Sequence, residues 1–188
     1  IESLPDFDKD VLAQVKAENA NVNGDTYKSE PKPRTINLIN DWYWDQGAIQ
    51  WHKNGKHVAI MLEAWDNKDR WLTTVDFEQS KFVTQHQLHD DAWINYTFNE
   101  YGWFNQEETL YFLSEQSGYS HLYIKKLKDD KEQQVTKGEY EVSTPYLTTD
   151  DKNFIFRANV NHPGEYHVYK VSTKERSLTA PKALTSRV

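Results

Sequence analysis

The chain has 188 residues and a net charge of −7, and 14 % of it is aromatic, with 7 Trp and 11 Tyr. Its acidic and basic residues are interspersed, which argues against the clustered Lys/Arg footprint of a nucleic-acid or anionic-membrane binder, and the absence of Cys excludes disulfides, thiolate chemistry and Cys-based zinc sites. No apolar run reaches the roughly 18 residues that span a bilayer, and the start at Ile1 without a signal-like region reads as an excised piece of a longer protein.

In chain order, residues 5–19 carry a helical signal. Asp6 or Asp8 is placed to cap it, with Phe7, Val11, Leu12 and Val15 on one stripe. Polar residues 20–25 end it, and Glu30-Pro-Lys-Pro33 reads as a stiff loop or edge segment. Residues 1–34 are therefore expected to be a helix and an extended linker. Thr35 to Asn40 alternates as one strand.

From Trp51 a layout repeats. An aromatic and a tight turn (Trp51 to Gly55) lead to strand-like residues 57–62, a turn at 65–69, a strand at 70–75 and another at 80–88. The same order recurs as the turn Asn105–Thr109, strand 110–113, turn 114–120, strand 121–124 and a closing run at 134–136. It recurs again as the turn 147–151, strand 153–156, hairpin 161–164, strand 166–171 and closing run 183–185. Aligning Trp51, Trp103 and Leu147 gives spacings of 52 and 44 residues, close to one four-stranded propeller blade. The expected fold is all-β: a partial β-propeller of about three to four antiparallel blades with a short N-terminal helix. Blades are placed at about 35–91, 92–138 and 139–188, as an arc of a larger ring, with a β-sandwich as the competing architecture. An open arc leaves unpaired edge strands, so homo-association through those edges is expected.

The run Trp103-Phe-Asn-Gln-Glu-Glu-Thr-Leu-Tyr-Phe-Leu-Ser-Glu-Gln-Ser-Gly-Tyr-Ser-His-Leu-Tyr123 resembles the propeller of dipeptidyl peptidase IV and related prolyl oligopeptidase-family serine peptidases. Asn67-Lys-Asp-Arg-Trp71, His89-Asp-Asp-Ala-Trp-Ile-Asn95 and Lys137-Gly-Glu-Tyr-Glu-Val142 extend the resemblance to about residues 36–185. It implies a propeller that covers an α/β-hydrolase domain carrying a Ser-Asp-His triad. This chain would be the later part of that propeller, inactive alone, gating and scaffolding peptide access. The implied partners are the peptide substrate and the C-terminal hydrolase domain, and the implied location is periplasmic or secreted.

No catalytic residue and no cofactor are expected within the chain. A G-x-S-x-G nucleophile elbow is approached only by Gly118-Tyr-Ser-His-Leu122, where Leu122 replaces the last Gly and the context is a hairpin. In the resembled peptidases a Glu pair reads the substrate amine. Glu107-Glu108 is such a pair, but it reads as a solvated turn, and the family's own pair would lie upstream of Ile1. His86, His89, Asp90 and Asp91 are metal-ligand types, yet strand residues three apart point to opposite faces, so no metal site is expected. Trp51, Trp71 and Trp103 are expected to pack between blades, whereas Trp42, Tyr43 and Trp44 are candidates for exposure. Asn95-Tyr-Thr97 matches a glycosylation sequon. The connector Ala92 to Gly102, rich in aromatic and amide groups, holds the substrate-contact candidates Trp93, Tyr96, Phe98 and Asn99. A stand-alone propeller for protein or ligand binding, and a carbohydrate-binding β protein that stacks sugars on exposed Trp, are the competing readings.

Overall fold

The computed structural model describes residues 1–39, 47–176 and 178–186. Among the described residues one helix, α1 (Ala13–Val22), precedes thirteen strands. The first sheet holds β1 (Ile36–Leu38), β2 (Ile49–Trp51), β3 (Val58–Ala64), β4 (Asp69–Asp76) and β5 (Lys81–His89). The second holds β6 (Tyr101–Trp103), β7 (Thr109–Ser114), β8 (His121–Lys126) and β9 (Gln133–Gln134). The third holds β10 (Val142–Leu147), β11 (Asn153–His162), β12 (Glu165–Ser172) and β13 (Lys182–Ala183). In the second and third sheets the strands follow one another in chain order, the meander of a propeller blade, and in the first β1 and β2 both pair with β3, which β4 and β5 follow in order. The fold is all-β, a partial β-propeller with a short N-terminal helix.

The repeat read from the sequence has a backbone counterpart. The first turn of each sheet closes with the same hydrogen bond: His52 N–H to His57 O, Phe104 N–H to Thr109 O and Thr148 N–H to Asn153 O, each 2.9 Å. These residues stand one place after Trp51, Trp103 and Leu147. The sequence periodicity and the hydrogen-bond periodicity are therefore the same fact.

The chain divides into two compact units, residues 1–38 with 61–94 and residues 39–60 with 95–188. In the first unit, cross-strand pairing puts Asp69 opposite His89 and Trp71 opposite Gln87. Directly opposed residues share a sheet face. Onto that face comes the N-terminal segment. Trp71 Nε1 donates to Pro5 O (3.1 Å), and Gln87 Nε2 donates to Asp6 Oδ2 (2.9 Å). Ser3 Oγ donates to Phe82 O (3.0 Å) and accepts from Phe82 N–H (3.1 Å), occupying backbone groups of β5. Arg34 fastens the base of the segment. It bonds Asp66 (2.6 and 2.9 Å), fully buried Asp69 (2.7 Å) and Asp6 O (3.2 Å), and its guanidinium lies 5.6 Å from the Trp71 ring centre.

The helix expected over residues 5–19 is corrected to Ala13–Val22. Asp6 takes a positive φ of 56°, which an L-residue adopts in turns but not in a helix. Phe7 instead accepts Arg34 N–H at its carbonyl (3.2 Å), and Asp8 bridges to Pro33. The proposed cap and stripe dissolve with the boundary: the N-cap is Leu12 without a side-chain bond, and no helical residue is buried. Asp10 holds the helix start differently, accepting from Lys16 Nζ (2.8 Å), Tyr27 Oη and Glu30 N–H (3.2 Å).

Of the strand expected at 35–40, the described residues show Ile36–Leu38 as β1. β1 ends at Leu38, which faces Leu62 on β3, and β2 begins at Ile49, which faces Ile60. Trp42, Tyr43 and Trp44, the candidates for exposure, lie outside the described residues.

The second unit has the larger core. Phe98, Phe104, Leu113, Leu122, Val135, Val142, Phe154 and Phe156 form one buried cluster drawn from both complete sheets. Phe154 receives the ring edges of Phe104 and Tyr111 at 5.9 and 5.2 Å, the geometry that aromatic quadrupoles favour. The last strands β9 and β13 have two residues each. Strands this short offer little template for edge-to-edge pairing of copies.

Candidate functional site

First strands of neighbouring sheets converge in the second unit. Gln50 Nε2 donates to Tyr101 O (3.1 Å), Trp103 Nε1 donates to Gln50 O (3.0 Å) and Tyr101 Oη donates to Ala48 O (2.8 Å). Convergence of β2 and β6 is the arrangement of strands from neighbouring propeller blades. The third sheet joins through Glu100, whose Oε1 accepts Thr144 N–H at 3.0 Å.

Thr144 is strained. It is β-branched and has a φ of +47°, in a strand where the pairing register shifts between Ser143 and Tyr146. Left-handed geometry at a β-branched residue costs on the order of 1–3 kcal/mol and persists only where the surroundings impose it. The buried Glu100 carboxylate and buried Pro145 are such surroundings. A bulge re-aims side chains, and here Tyr146 follows it with 72 % of its surface exposed. Across the seam, Tyr111 lays its hydroxyl over Gly102, its direct cross-strand partner, where a Cβ would stand 2.5 Å from Oη. Burial, then Tyr146 and Glu100, hold the Tyr111 phenol above its ordinary pKa, so it stays protonated and able to donate.

The four expected contact residues do not form one site. Phe98 is 5 % exposed and belongs to the core; Asn99 is 6 % exposed, with Nδ2 donating to Tyr96 O at 2.7 Å. Burial takes these two out of reach of a passing ligand. Trp93, 61 % exposed, and Tyr96, also exposed, present surface. Within the sequon, Asn95 Oδ1 accepts Thr97 N–H (2.9 Å), an Asx turn. Sequence reasoning missed Tyr146 and the bulge, although Pro145 inside a strand was their signal.

Ser120 and His121 have structural partners. Ser120 is fully buried and its Oγ donates to Val142 O (2.8 Å), while Val142 N–H donates to Ser120 O (2.8 Å), clasping the second sheet to the third. His121 is buried edge-on against Tyr140, with Nδ1 3.1 Å from Thr136 Oγ1 and Nε2 3.0 Å from Gly138 O. Burial pushes its pKa down.

Two clefts of about 670 and 630 Å³ open beside the turns and share Gln106, Glu107, Thr109 and Lys126. Glu107 and Glu108 there are engaged with cations. Glu108 Oε1 lies 3.0 Å from His57 Nε2, which holds its pKa below the carboxylate range, and Glu107 is 3.6 Å from Lys126. Asp151 accepts from Asn105 N–H (2.9 Å), Asn105 Nδ2 (2.6 Å) and Gln106 N–H (2.7 Å), a second clasp between the complete sheets. The adjacent pair Glu107–Glu108 is tied to cations rather than set apart for acid–base work.

In the first unit, His86 is buried, while His89 spans Asp69 Oδ1 (2.9 Å) and Asp91 Oδ1 (3.2 Å). No group of three metal-binding side chains occurs among the described residues. Trp71 is fully buried and Trp103 half-buried with its ring 5.2 Å from His52, but Trp51 is 57 % exposed. The expected packing role is therefore corrected for Trp51, because β2 is a three-residue strand with both end side chains on its open face.

Comparison with known proteins gives this framework a family. The dipeptidyl peptidase IV (DPP IV) N-terminal region family matches residues 13–188. The chain belongs to that family. It is 29 % identical over 141 residues to dipeptidyl peptidase 4 of Arthroderma otae, an alignment covering 71 % of this chain and 18 % of that protein. It is 27 % identical over 140 residues to dipeptidyl peptidase 4 of Trichophyton rubrum, with the same coverage. The crystal structure of Porphyromonas gingivalis dipeptidyl peptidase 4 has the same fold, with a TM-score of 0.63 at 16 % identity, over 88 % of this chain and 22 % of that one. The chain thus spans about a fifth of the length of the family members it matches (18 to 22 %).

Proposed function

We propose that this chain is the non-catalytic propeller portion of a serine dipeptidyl peptidase, gating and scaffolding peptide access to a separate α/β-hydrolase domain. The match to the DPP IV N-terminal region over residues 13–188 carries this reading. Blades at 35–91, 92–138 and 139–188 form the scaffold. The hydrolase domain carries the Ser-Asp-His triad and cleaves through an acyl-enzyme, and the protein works in the periplasm or outside the cell. Engagement of Ser120 and His121 in structural bonds supports placing the chemistry elsewhere. Trp93 and Tyr96 on the connector are the contacts this portion offers to peptide.

The deciding experiment assays the full-length protein on dipeptidyl p-nitroanilides, with Ser120→Ala and Trp93→Ala beside the wild type. Ser120→Ala is expected to retain turnover wherever it folds. Loss of turnover with unchanged denaturation midpoint would make Ser120 a nucleophile and sink the reading. Fractionation of the producing cells tests the location, and a cytoplasmic pool alone contradicts it.

A further inference from the structure

We propose that Tyr146 is the ring of a peptide-binding subsite on the first strand of the third sheet, held out by the Glu100–Thr144 clasp. The subsite takes an extended peptide segment beyond the residues at the cleavage point. It rests on the proposed function for the identity of its ligand.

Three observations converge on it. First, β10 pairs with β11 on one side while Ser120 and Glu100 hold its other edge at Val142 and Thr144, so Tyr146 stands just past these clasps and its ring, rather than the strand edge, is the group left to meet a peptide. Second, β2 and β10 expose apolar side chains: Ile49 and Trp51 on β2 and Tyr146 on β10. A large exposed aromatic such as Tyr146 is suited to stacking on proline or aromatic rings, at the low entropic cost of two side-chain torsions. Third, the backbone is strained at this point. The left-handed Thr144 and the register shift are maintained by a buried carboxylate bond, and their consequence is the direction of Tyr146. Ordinary packing needs no such arrangement, because the core residues of the same strand, Val142 and Pro145, are buried regardless of where Tyr146 points.

The test uses the full-length protein and two probes. One is a C-terminally fluorescein-labelled dodecapeptide starting Ala-Pro, with an N-methylated third residue that resists cleavage and with Pro, Phe and Lys downstream. The other is Ala-Pro-p-nitroanilide. Tyr146→Ala is expected to raise the peptide Kd by about tenfold, the size typical of an aromatic anchor, while Tyr146→Phe stays within about twofold because the ring face acts. Turnover of the anilide, which is too short to reach β10, is expected to stay within about twofold in both variants. An unchanged peptide Kd in Tyr146→Ala overturns the subsite. So does an equal loss on the anilide, which would mark a general structural effect. If the wild type fails to turn over the anilide, the peptidase reading falls, and the peptide Kd still decides the subsite.

Discussion

At the scale of single residues, buried polar side chains fasten the second sheet to the third. Ser120 is the plainest instance. Removing its hydroxyl leaves Val142 O without that donor in a buried seam, and Ser120→Ala is expected to cost about 1–2 kcal/mol, measured by urea denaturation. His121 adds a pH dependence. Its folded-state pKa lies below the value of about 6.5 for the unfolded chain because burial penalises the cation. Below pH about 6.5 the unfolded chain binds the proton more readily, so stability falls as the pH drops through that window. A urea midpoint that declines between pH 7 and 5.5, and declines less in His121→Gln, is the expected result. A slope unchanged by the substitution would assign the effect to other groups.

At the scale of elements, the turns and first strands set the geometry. Gly102 is required because Tyr111 lies where its Cβ would be. Gly102→Ala is therefore expected to destabilise by about 1–3 kcal/mol, as overpacking does, and to move the Tyr111 ring. Thr144→Gly is predicted to act in the opposite direction on local strain, since glycine accepts a positive φ. It should leave the urea midpoint unchanged or raised while lowering the order of Tyr146 in hydrogen exchange of β10. Asp151 receives three donors from the neighbouring turn, and Asp151→Ala should expose Asn105 and Gln106 amides to faster exchange. Unaltered exchange there would show that the turns hold without the clasp.

At the scale of the whole molecule, the first unit depends on a buried ion cluster and the second on an aromatic core. Arg34 and Asp69 have side chains 5 % and 0 % exposed, and leaving one charge of such a pair alone costs about 3–5 kcal/mol. Arg34→Met is expected to release residues 3–9 to proteolysis and raise Trp71 quenching by acrylamide, with the exchange protection of β7, β8 and β11 unchanged. Protection lost equally everywhere would mean that the chain unfolds as one cooperative body.

The aromatic–turn–strand repeat was legible because its period is carried by the residues that make it: aromatics and β-branched residues in strands, polar residues in turns. Three identical turn-closing bonds at His52, Phe104 and Thr148 follow from that local chemistry. The fold class, the family likeness and the poor fit of Ser120 to a nucleophile elbow were therefore determined by sequence alone. Other features depended on partners far away in the chain. The apolar stripe at Phe7 to Val15 satisfied a helical period, but Arg34, Trp71 and Gln87 draw residues 5–7 onto a sheet. Phe98 and Asn99 carry the same side-chain types as a binding surface, and only packing showed them buried. Tyr146 was silent because the direction of its side chain depends on a bulge fixed by Glu100, 46 residues earlier. Local periodicity is written in neighbouring residues. Burial, strain and the direction of a side chain are set by long-range contacts, and those the tertiary structure alone decided.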